Sequence, residues 1–309
     1  MLKDARPHFV DDADTLFHEF GHALHGLCSK FATRRSQEPV AGLRVPVAAQ
    51  RTLADDAEIL NQFAVLRNGR GLPELIEYRD GDVVLEGFVA WDPAAVSQSA
   101  PGVLVVHQWM GLTDYEQSRC HQLAELGYVA FALDIYGKGV RPENQQAAGK
   151  LAGVYKSDRK LYRKRLNLGL DQLKKLSGVD STKLAAIGYC FGGTGVLELA
   201  RSGADVQGVV SFHGGLDSPT PEDGKNIKAK VLALHGEDDP FVPKEEIAAM
   251  QQEFNAAGVD WQMVIYSQTV HSFTQPAAGS DNSRGAAYNE RSDKRSWLAM
   301  QQFFHELFE

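Results

Sequence analysis

A cysteine flanked by glycines stands where a strand-like segment passes into a helix-like one. Residues 188–193 read Gly-Tyr-Cys-Phe-Gly-Gly, directly after the apolar run Leu184–Ile187 and ahead of a helical pattern. A sharp strand-to-helix turn of this kind exposes a nucleophile, and its glycines leave room for the bend. The thiol of Cys190 would then lie at a helix N-terminus, which favours the thiolate. The alternative is a small buried cysteine packed between glycines, but the order of strand, turn and helix favours the reactive interpretation.

Two further residues supply the partners that a nucleophilic cysteine needs, in the chain order nucleophile, acid, histidine. The spacing Gly-x-x-Asp-x-x-Val after the apolar run Lys230–His235 selects Asp239 as the acid, with Asp238 as the weaker alternative. His271 lies in the loop after the last strand-like run. There its imidazole would reach Cys190 while Asp239 holds its other nitrogen.

Two other histidines compete for the role of base. His213 and His235 both end apolar, strand-like runs. Histidines at such positions are more often hydrogen-bonded structural groups than catalytic ones. We therefore keep His271 as the predicted base and expect a structural role for the other two.

A hydrolytic site of this type also needs two N–H donors for the developing oxyanion. The main chain of Phe191 supplies one, because it follows the nucleophile at the helix start, and the second is expected from Trp109, after the run Val103–His107. Residues near the ends of the predicted strands are expected to line the substrate pocket, with burial in the core as the alternative for the aromatic ones. These residues are Gln108, Trp109, Tyr136, Phe241 and Phe273.

The elements that must position these groups alternate between short apolar runs and amphipathic helical patterns from about Leu75 onward. Such alternation is typical of a mostly parallel sheet with helices on both faces, so the predicted class is α/β. Leu75–Arg79 and Val83–Trp91, joined at Asp80-Gly81, predict an opening hairpin. Further strands are predicted at 103–107, 128–133, 184–189, 206–212, 230–235 and 261–266, and helices at 115–126, 159–176, 192–202, 244–257 and 291–308.

The composition indicates an ordered globular chain that acts on a small molecule. The 309 residues carry a formal net charge of -8, which provides no basic field for nucleic acid. No apolar run approaches the roughly 20 residues that cross a bilayer, and the first residues lack a signal-peptide core. The 3 cysteines show no paired spacing, which favours free thiols in a reducing compartment. We therefore expect a cytoplasmic protein, and the oligomeric state is left open.

Three segments together resemble the dienelactone hydrolase family: the turn at 188–193, the stretch Asp239–Pro243 and the triplet His271–Phe273. They occur in order at compatible separations, and the resemblance covers about residues 75–308. It implies the α/β-hydrolase fold and a thiol hydrolase of esters or lactones without metal or cofactor, in which Cys190 completes the triad. The resemblance extends to members of the family that hydrolyse phosphotriesters, which implies an additional, promiscuous activity on aryl dialkyl phosphates.

Two positions depart from the pattern of family members that act on dienelactone. Those enzymes resemble this chain but carry a glutamate where it has Gln108, and an arginine after the His-Ser-Phe triplet where it has Gln275. The arginine of such enzymes grips a substrate carboxylate. Its replacement makes neutral esters the expected substrates, and Gln108 implies that the resting thiol is held differently.

A second motif lies near the N-terminus. His18–His22 reads His-Glu-Phe-Gly-His, which places two histidines one helical turn apart beside a glutamate, as in zinc peptidases. Residues 15–28 resemble the thimet oligopeptidase family, but the third ligand of that family is absent after the motif, and the residues before Leu75 are too few to enclose the site. We therefore interpret 1–72 as a short helical appendage, a peptidase-like fragment without function, ahead of a hydrolase domain at 73–309. A zinc metallopeptidase is the alternative function.

Overall fold

The computed structural model describes residues 74–93 and 99–309. Within these ranges strands alternate with helices and build one 8-stranded sheet. The strands are β1 (Glu74–Asp80), β2 (Val83–Ala90), β3 (Ala100–Val106), β4 (Val129–Leu133), β5 (Val179–Tyr189), β6 (Gly208–Phe212), β7 (Lys230–Gly236) and β8 (Trp261–Tyr266). The α-helices are α1 (Asp114–Glu125), α2 (Gln145–Ser157), α3 (Arg159–Leu173), α4 (Phe191–Arg201), α5 (Lys244–Ala257) and α6 (Glu290–Phe308).

The sheet is antiparallel at one side and parallel over the rest. Its strand order is β1-β2-β4-β3-β5-β6-β7-β8. The pairs β1/β2 and β2/β4 are antiparallel, and every pair from β4/β3 to β7/β8 is parallel. Because parallel strands end at the same edge, the loops that follow β3, β5, β6 and β7 meet there. The predicted α/β-hydrolase fold and its opening hairpin are confirmed.

Helices cover both faces of the sheet, which explains why the central strands are mostly apolar on both sides. Leu184 and Ala186 of β5 pack in one hydrophobic cluster with side chains of α3, α4 and α5. Ala185 and Ile187 pack in a second cluster with side chains of α1 and α6. The centre of β5 is therefore fixed from above and below, and so is the turn that follows it.

Helix α2 was not predicted from the sequence. It contains Gly149 and Gly153, and glycine disfavours a helix interior by about 1 kcal/mol relative to alanine. Its buried residues are only Ala148, Ala152 and Tyr155, so the apolar stripe is too weak to stand out. The usable signal was Asn144, whose side chain accepts a hydrogen bond from the N–H of Ala147 at 2.9 Å and caps the helix.

Two sequence-based expectations concern features beyond the sheet. In the part of the chain that the structure describes, no helix combines the length and apolar character that a membrane span requires. The N-terminal His-Glu-Phe-Gly-His motif and the predicted appendage at 1–72 lie outside the described residues.

Candidate active site

The nucleophile candidate occupies a strained turn between β5 and α4. Cys190 has φ 55° and ψ -114°, a conformation that costs a non-glycine residue roughly 1–3 kcal/mol and persists only where its surroundings impose it. A Cβ atom at Gly188 would collide with the carbonyl oxygen of Gly192, and one at Gly192 would collide with that of Val106. The glycines on both sides of Cys190 are therefore required by close backbone contacts, as the sequence pattern indicated.

The loops after β5, β7 and β8 bring three side chains into one hydrogen-bonded row. His271 Nε2 lies 3.1 Å from Cys190 Sγ, and His271 Nδ1 lies 2.7 Å from Asp239 Oδ2. These are the distances that proton transfer between a thiol and an imidazole requires. The arrangement can hold a thiolate and an imidazolium side by side while a carboxylate orients the ring.

The acid position in this row is held by Asp239, not by its neighbour. Asp239 is buried, whereas Asp238 is exposed. The second carboxylate oxygen of Asp239 accepts a hydrogen bond from the N–H of Phe241 at 2.9 Å. That bond leaves Oδ2 directed at His271, so the carboxylate has one fixed orientation toward the imidazole.

The electrostatics of the row favour the ion pair over the neutral pair. Burial alone would raise the pKa of Cys190, but the charge and hydrogen bond of His271 and the N–H of Phe191 outweigh it, and the pKa lies below its ordinary value. Burial alone would lower the pKa of His271, but the charge of Cys190 and the hydrogen bond to Asp239 raise it instead. Each partner stabilises the charged form of the other. The thiol of Cys120 is buried without such a partner, and its pKa is raised.

The loop after β3 is tied in place beside the thiol. The N–H of Gln108 donates to Glu116 Oε1 at 3.2 Å. The hydroxyl of Tyr136 donates to the carbonyl oxygen of Trp109 at 2.9 Å. These bonds fix the peptide planes on either side of the Trp109 N–H, the expected second donor to an oxyanion. The N–H of Phe191, the first expected donor, already interacts with the sulfur of Cys190.

A cavity of about 630 Å³ opens over the sulfur and is a suitable size for a small ester. Cys190 and His271 both line it. Its remaining lining combines apolar, amide and cationic side chains, among them Gln108, Trp109, Met110, Lys156, Phe241, Gln275 and Arg284.

Comparison with known proteins agrees with this geometry. The model of the dienelactone hydrolase family matches residues 85–308. The chain belongs to this family. A protein of Aquifex aeolicus that is provisionally named a carboxymethylenebutenolidase is 27% identical over 242 residues, which cover 75% of this chain and 97% of that protein.

Two solved structures are similar over the same region. The protein called m3DLH is 40% identical with a TM-score of 0.74, and covers 77% of this chain and 98% of its own. A dienelactone hydrolase-like promiscuous phosphotriesterase from metagenomic libraries is 39% identical with a TM-score of 0.72, with the same coverage. This chain is accordingly a carboxylic ester hydrolase of the dienelactone hydrolase type.

Three of the residues expected in the pocket of this family member line the cavity, and two do not. Gln108, Trp109 and Phe241 are lining residues. Tyr136 and Phe273 are buried instead. Tyr136 packs its ring 5.7 Å from that of Phe191 and supports the loop after β3. An aromatic residue at a strand end can face the cavity or the core, and the sequence does not distinguish the two.

Sequence reasoning also missed residues that do line the cavity. Lys156 lies at the end of α2, the helix that the sequence pattern did not reveal, and Arg284 lies in a short turn before α6. Both are exposed cations at the cavity. Gln108 and Gln275, the two departures from the family pattern, line it as well. Lys156, Arg284 and the two glutamines of the pocket therefore lie outside the three segments that carry the family resemblance.

The two competing histidines are buried near the row, but neither is hydrogen-bonded to the Cys190 sulfur. His213 Nδ1 accepts a hydrogen bond from the main-chain N–H of Cys190 at 3.1 Å. His235 Nδ1 has no hydrogen-bond partner in the described residues. Burial lowers the pKa of both rings, so both are held neutral. Of these three histidines, His271 is the one that is hydrogen-bonded to the sulfur.

Proposed function

We propose that the chain hydrolyses neutral esters or lactones with Cys190 as nucleophile, His271 as acid and base, and Asp239 as the orienting carboxylate. The observation that carries this proposal is the hydrogen-bonded row, with 3.1 Å between sulfur and imidazole and 2.7 Å between imidazole and carboxylate. Covalent catalysis by a thiol requires these contacts.

In the first half of the reaction the thiolate attacks the carbonyl carbon and a C–S bond forms. The negative charge moves to the carbonyl oxygen, where the N–H groups of Phe191 and Trp109 would stabilise it. The imidazolium of His271 gives its proton to the departing alkoxide as the C–O bond breaks. The products are an alcohol and a thioester on Cys190.

In the second half water replaces the alcohol. Neutral His271 removes a proton from the water as its oxygen attacks the thioester carbonyl. The C–S bond then breaks, and Cys190 departs as a thiolate beside the newly formed imidazolium. This regenerates the starting ion pair and releases the carboxylic acid, while Asp239 keeps the ring oriented in both halves.

The test is a kinetic comparison of p-nitrophenyl esters with short, long and carboxylate-bearing acyl groups. We expect the highest kcat/KM on neutral esters because Gln275 offers no charge to a carboxylate, although Lys156 and Arg284 lie at the cavity. Cys190→Ala should abolish turnover of all of them, and Cys120→Ala is the matched control. Residual activity within tenfold of the parent in Cys190→Ala would refute the proposal. A preference for the carboxylate-bearing ester would refute the neutral-substrate part alone.

A second activity, hydrolysis of aryl dialkyl phosphates, is favoured by the 39% identity to a promiscuous phosphotriesterase. The thiolate would attack phosphorus, an S–P bond would form and the aryloxide would leave. Water activated by His271 would then cleave the S–P bond, since a thiolate leaves more readily than the alkoxide of a serine enzyme. The oxyanion donors serve a phosphoryl oxygen as they serve a carbonyl oxygen.

Counting product per active site tests this activity. A diethyl aryl phosphate should be turned over repeatedly, in the presence of chelator, and not at all by Cys190→Ala. Product release that stops at one equivalent would show inactivation of the enzyme in place of catalysis.

We also propose that residues 1–72 contribute nothing to these reactions, because every residue of the proposed row lies after them. A chain that begins at Leu72 should keep the parental kcat/KM, and excess chelator should leave ester hydrolysis unchanged. The alternative, a zinc peptidase, would be established if the full chain hydrolysed peptides and both excess chelator and His18→Ala abolished that activity.

A further inference from the structure

His213 has a left-handed backbone conformation at the end of β6. It follows the last residue of β6, is 1% exposed and has φ 40°. A positive φ is uncommon for residues other than glycine, although histidine adopts it more often than most. A strained residue beside a reactive centre is kept where the strain places a group that the site uses. The group placed here is the imidazole.

The hydrogen bonds of His213 determine which nitrogen carries the proton. The main-chain N–H of Cys190 is shared between the carbonyl oxygen of Phe212 at 3.0 Å and His213 Nδ1 at 3.1 Å. Because an N–H donates to Nδ1, that nitrogen is the acceptor and Nε2 carries the proton. His213 Nε2 lies 2.8 Å from Thr274 Oγ1, and therefore donates to it.

The same ring also touches the segment that carries the base. The His213 and His271 rings lie 5.2 Å apart at 67°, edge to face, and the His213 and Phe273 rings lie 5.0 Å apart at 80°. Thr274, which accepts the hydrogen bond, follows Phe273 directly. One neutral imidazole thus binds the backbone of the nucleophile on one side and the segment His271–Thr274 on the other.

We infer that His213 is a positioning residue that sets the separation of Cys190 and His271 by bridging the main chain of the one to the loop of the other. This inference rests on the proposed function of Cys190 and His271. No proton passes through His213 in it: the imidazole acts as a fixed acceptor and a fixed donor.

The far side of the bridge is itself anchored. Thr274 Oγ1 lies 2.6 Å from the hydroxyl of Tyr115, and the carbonyl oxygen of Thr274 accepts from Arg119 at 3.1 Å. Arg119 is in turn paired with Asp293 at 2.6 Å. These contacts hold Thr274 in place, so the His213 ring that is hydrogen-bonded to it can restrict the movement of the segment His271–Thr274.

The groups that face His213 keep it neutral. Burial has the largest effect in lowering its pKa, and the charges of His271 and Arg119 act in the same direction. A protonated His213 would also lose the Nδ1 lone pair that accepts from Cys190. The bridge consequently keeps the same tautomer while His271 cycles between its charged and neutral forms.

The test uses one variant that removes both hydrogen bonds of the bridge and another that removes the bond to Thr274 while keeping the bond to Cys190. His213→Phe keeps an aromatic ring and removes both hydrogen bonds, and we expect kcat to fall by about 100-fold with KM changed less than threefold, as for a displaced catalytic group. Thr274→Val leaves the bond to Cys190 and removes the second bond of the bridge together with the contact between Thr274 Oγ1 and the Tyr115 hydroxyl, and should lower kcat by about tenfold. Tyr115→Phe removes that contact but keeps the bridge, and should lower kcat less. Thr274→Ser, which restores the hydroxyl, should recover the parental rate.

A second readout does not depend on turnover and separates this inference from the proposed function. The rate of Cys190 alkylation by iodoacetamide is measured against pH in each variant. If the bridge sets the separation of Cys190 and His271, its loss should raise the pKa of the Cys190 thiol. The pH below which alkylation slows should then be higher in His213→Phe and Thr274→Val and unchanged in Thr274→Ser. If Cys190 were not the nucleophile, this profile would still shift although ester kinetics would not.

Two results would overturn the inference. One is a parental kcat and alkylation profile in Thr274→Val. The other is an equal loss in Thr274→Val and Thr274→Ser, which would show that the hydroxyl by itself does not sustain the rate. If His213→Phe does not fold, the threonine pair decides the question by itself.

Discussion

The two ends of helix α4 hold buried polar groups of opposite kinds. At its N-terminus the Cys190 sulfur lies 3.1 Å from His271 Nε2, and in the proposed mechanism one proton moves between them. At its C-terminus Glu198 and Arg201, both fully buried, are 3.0 Å apart, and Arg201 is also 2.8 Å from Glu253. The arginine charge at this second end is permanent, because a guanidinium group does not lose its proton in a protein.

This difference separates reactivity from stability along a single helix. A pair that can neutralise itself tolerates burial and can pass its proton to a substrate. Ion pairs between permanently charged side chains transfer no proton to a substrate. Removing one member of such a buried network leaves an uncompensated charge and lowers the stability of the protein. Substitutions at the N-terminal end should therefore change rates without unfolding the protein. Substitutions at the C-terminal end should do the reverse.

The largest expected effect is that of His271→Ala. Loss of the group that gives and removes the proton should lower kcat/KM by about 10³-fold, with the urea unfolding midpoint close to that of the parent. His305→Ala, at an exposed histidine of α6, is the matched control and should change neither quantity. A loss of less than tenfold in His271→Ala would show that the two ends of α4 do not differ as described.

At the other end, Glu198→Ala should lower the free energy of unfolding by about 3–5 kcal/mol. The carboxylate of Glu198 contacts Arg163 at 2.7 Å as well as Arg201, so both guanidinium groups lose a partner. The control is Glu290→Ala, at an exposed pair with Lys294, which should cost less than about 1 kcal/mol. Urea titration measures both, and kcat per folded molecule should stay parental. A stable Glu198→Ala protein with impaired kcat would contradict the separation.

Asp239→Asn should have a smaller effect than His271→Ala, a decrease in kcat/KM of about 10- to 100-fold. The thiolate depends less than a serine hydroxyl on the acid behind the histidine, but the amide presents an N–H to His271 Nδ1 and disfavours the productive tautomer. Asp238→Asn, at the exposed neighbour, is the control and should match the parent. Equal losses in Asp239→Asn and His271→Ala would show that the carboxylate does more than orient the ring.

The smallest effect in this set is a shift in the pH at which cysteines react. Since the pKa of Cys190 is lowered and that of Cys120 is raised by burial, Cys190 keeps its thiolate as pH falls below about 8.5, where an ordinary thiol loses it. We expect iodoacetamide to label Cys190 at pH 7 at least about tenfold faster than Cys120 or Cys28. Peptide mapping after brief labelling measures this. Equal labelling would mean that Cys190 is protonated at rest.

How far the sequence predicted this molecule depends on whether a feature is local. Residues 188–193 form one contiguous turn, so Cys190 and the N–H of Phe191 could be identified from their neighbours. Asp239 and His271 followed from motif spacing and strand ends. The pocket is formed by segments distant in the chain, and the glycine-containing helix α2 carries Lys156 into it. Nor did any local pattern show that His213 accepts a hydrogen bond from Cys190, since that contact joins the ends of two strands.

The most direct test of the central claim is to trap the covalent intermediate. The enzyme is mixed with a p-nitrophenyl ester and quenched in acid within the first turnover, and the acylated peptide is identified by mass spectrometry. The proposed mechanism predicts one acyl group per chain, attached as a thioester to Cys190, labile to hydroxylamine and absent from Cys190→Ala. An acyl group on another residue, or full turnover with no acylated protein at any quench time, would contradict nucleophilic catalysis by Cys190.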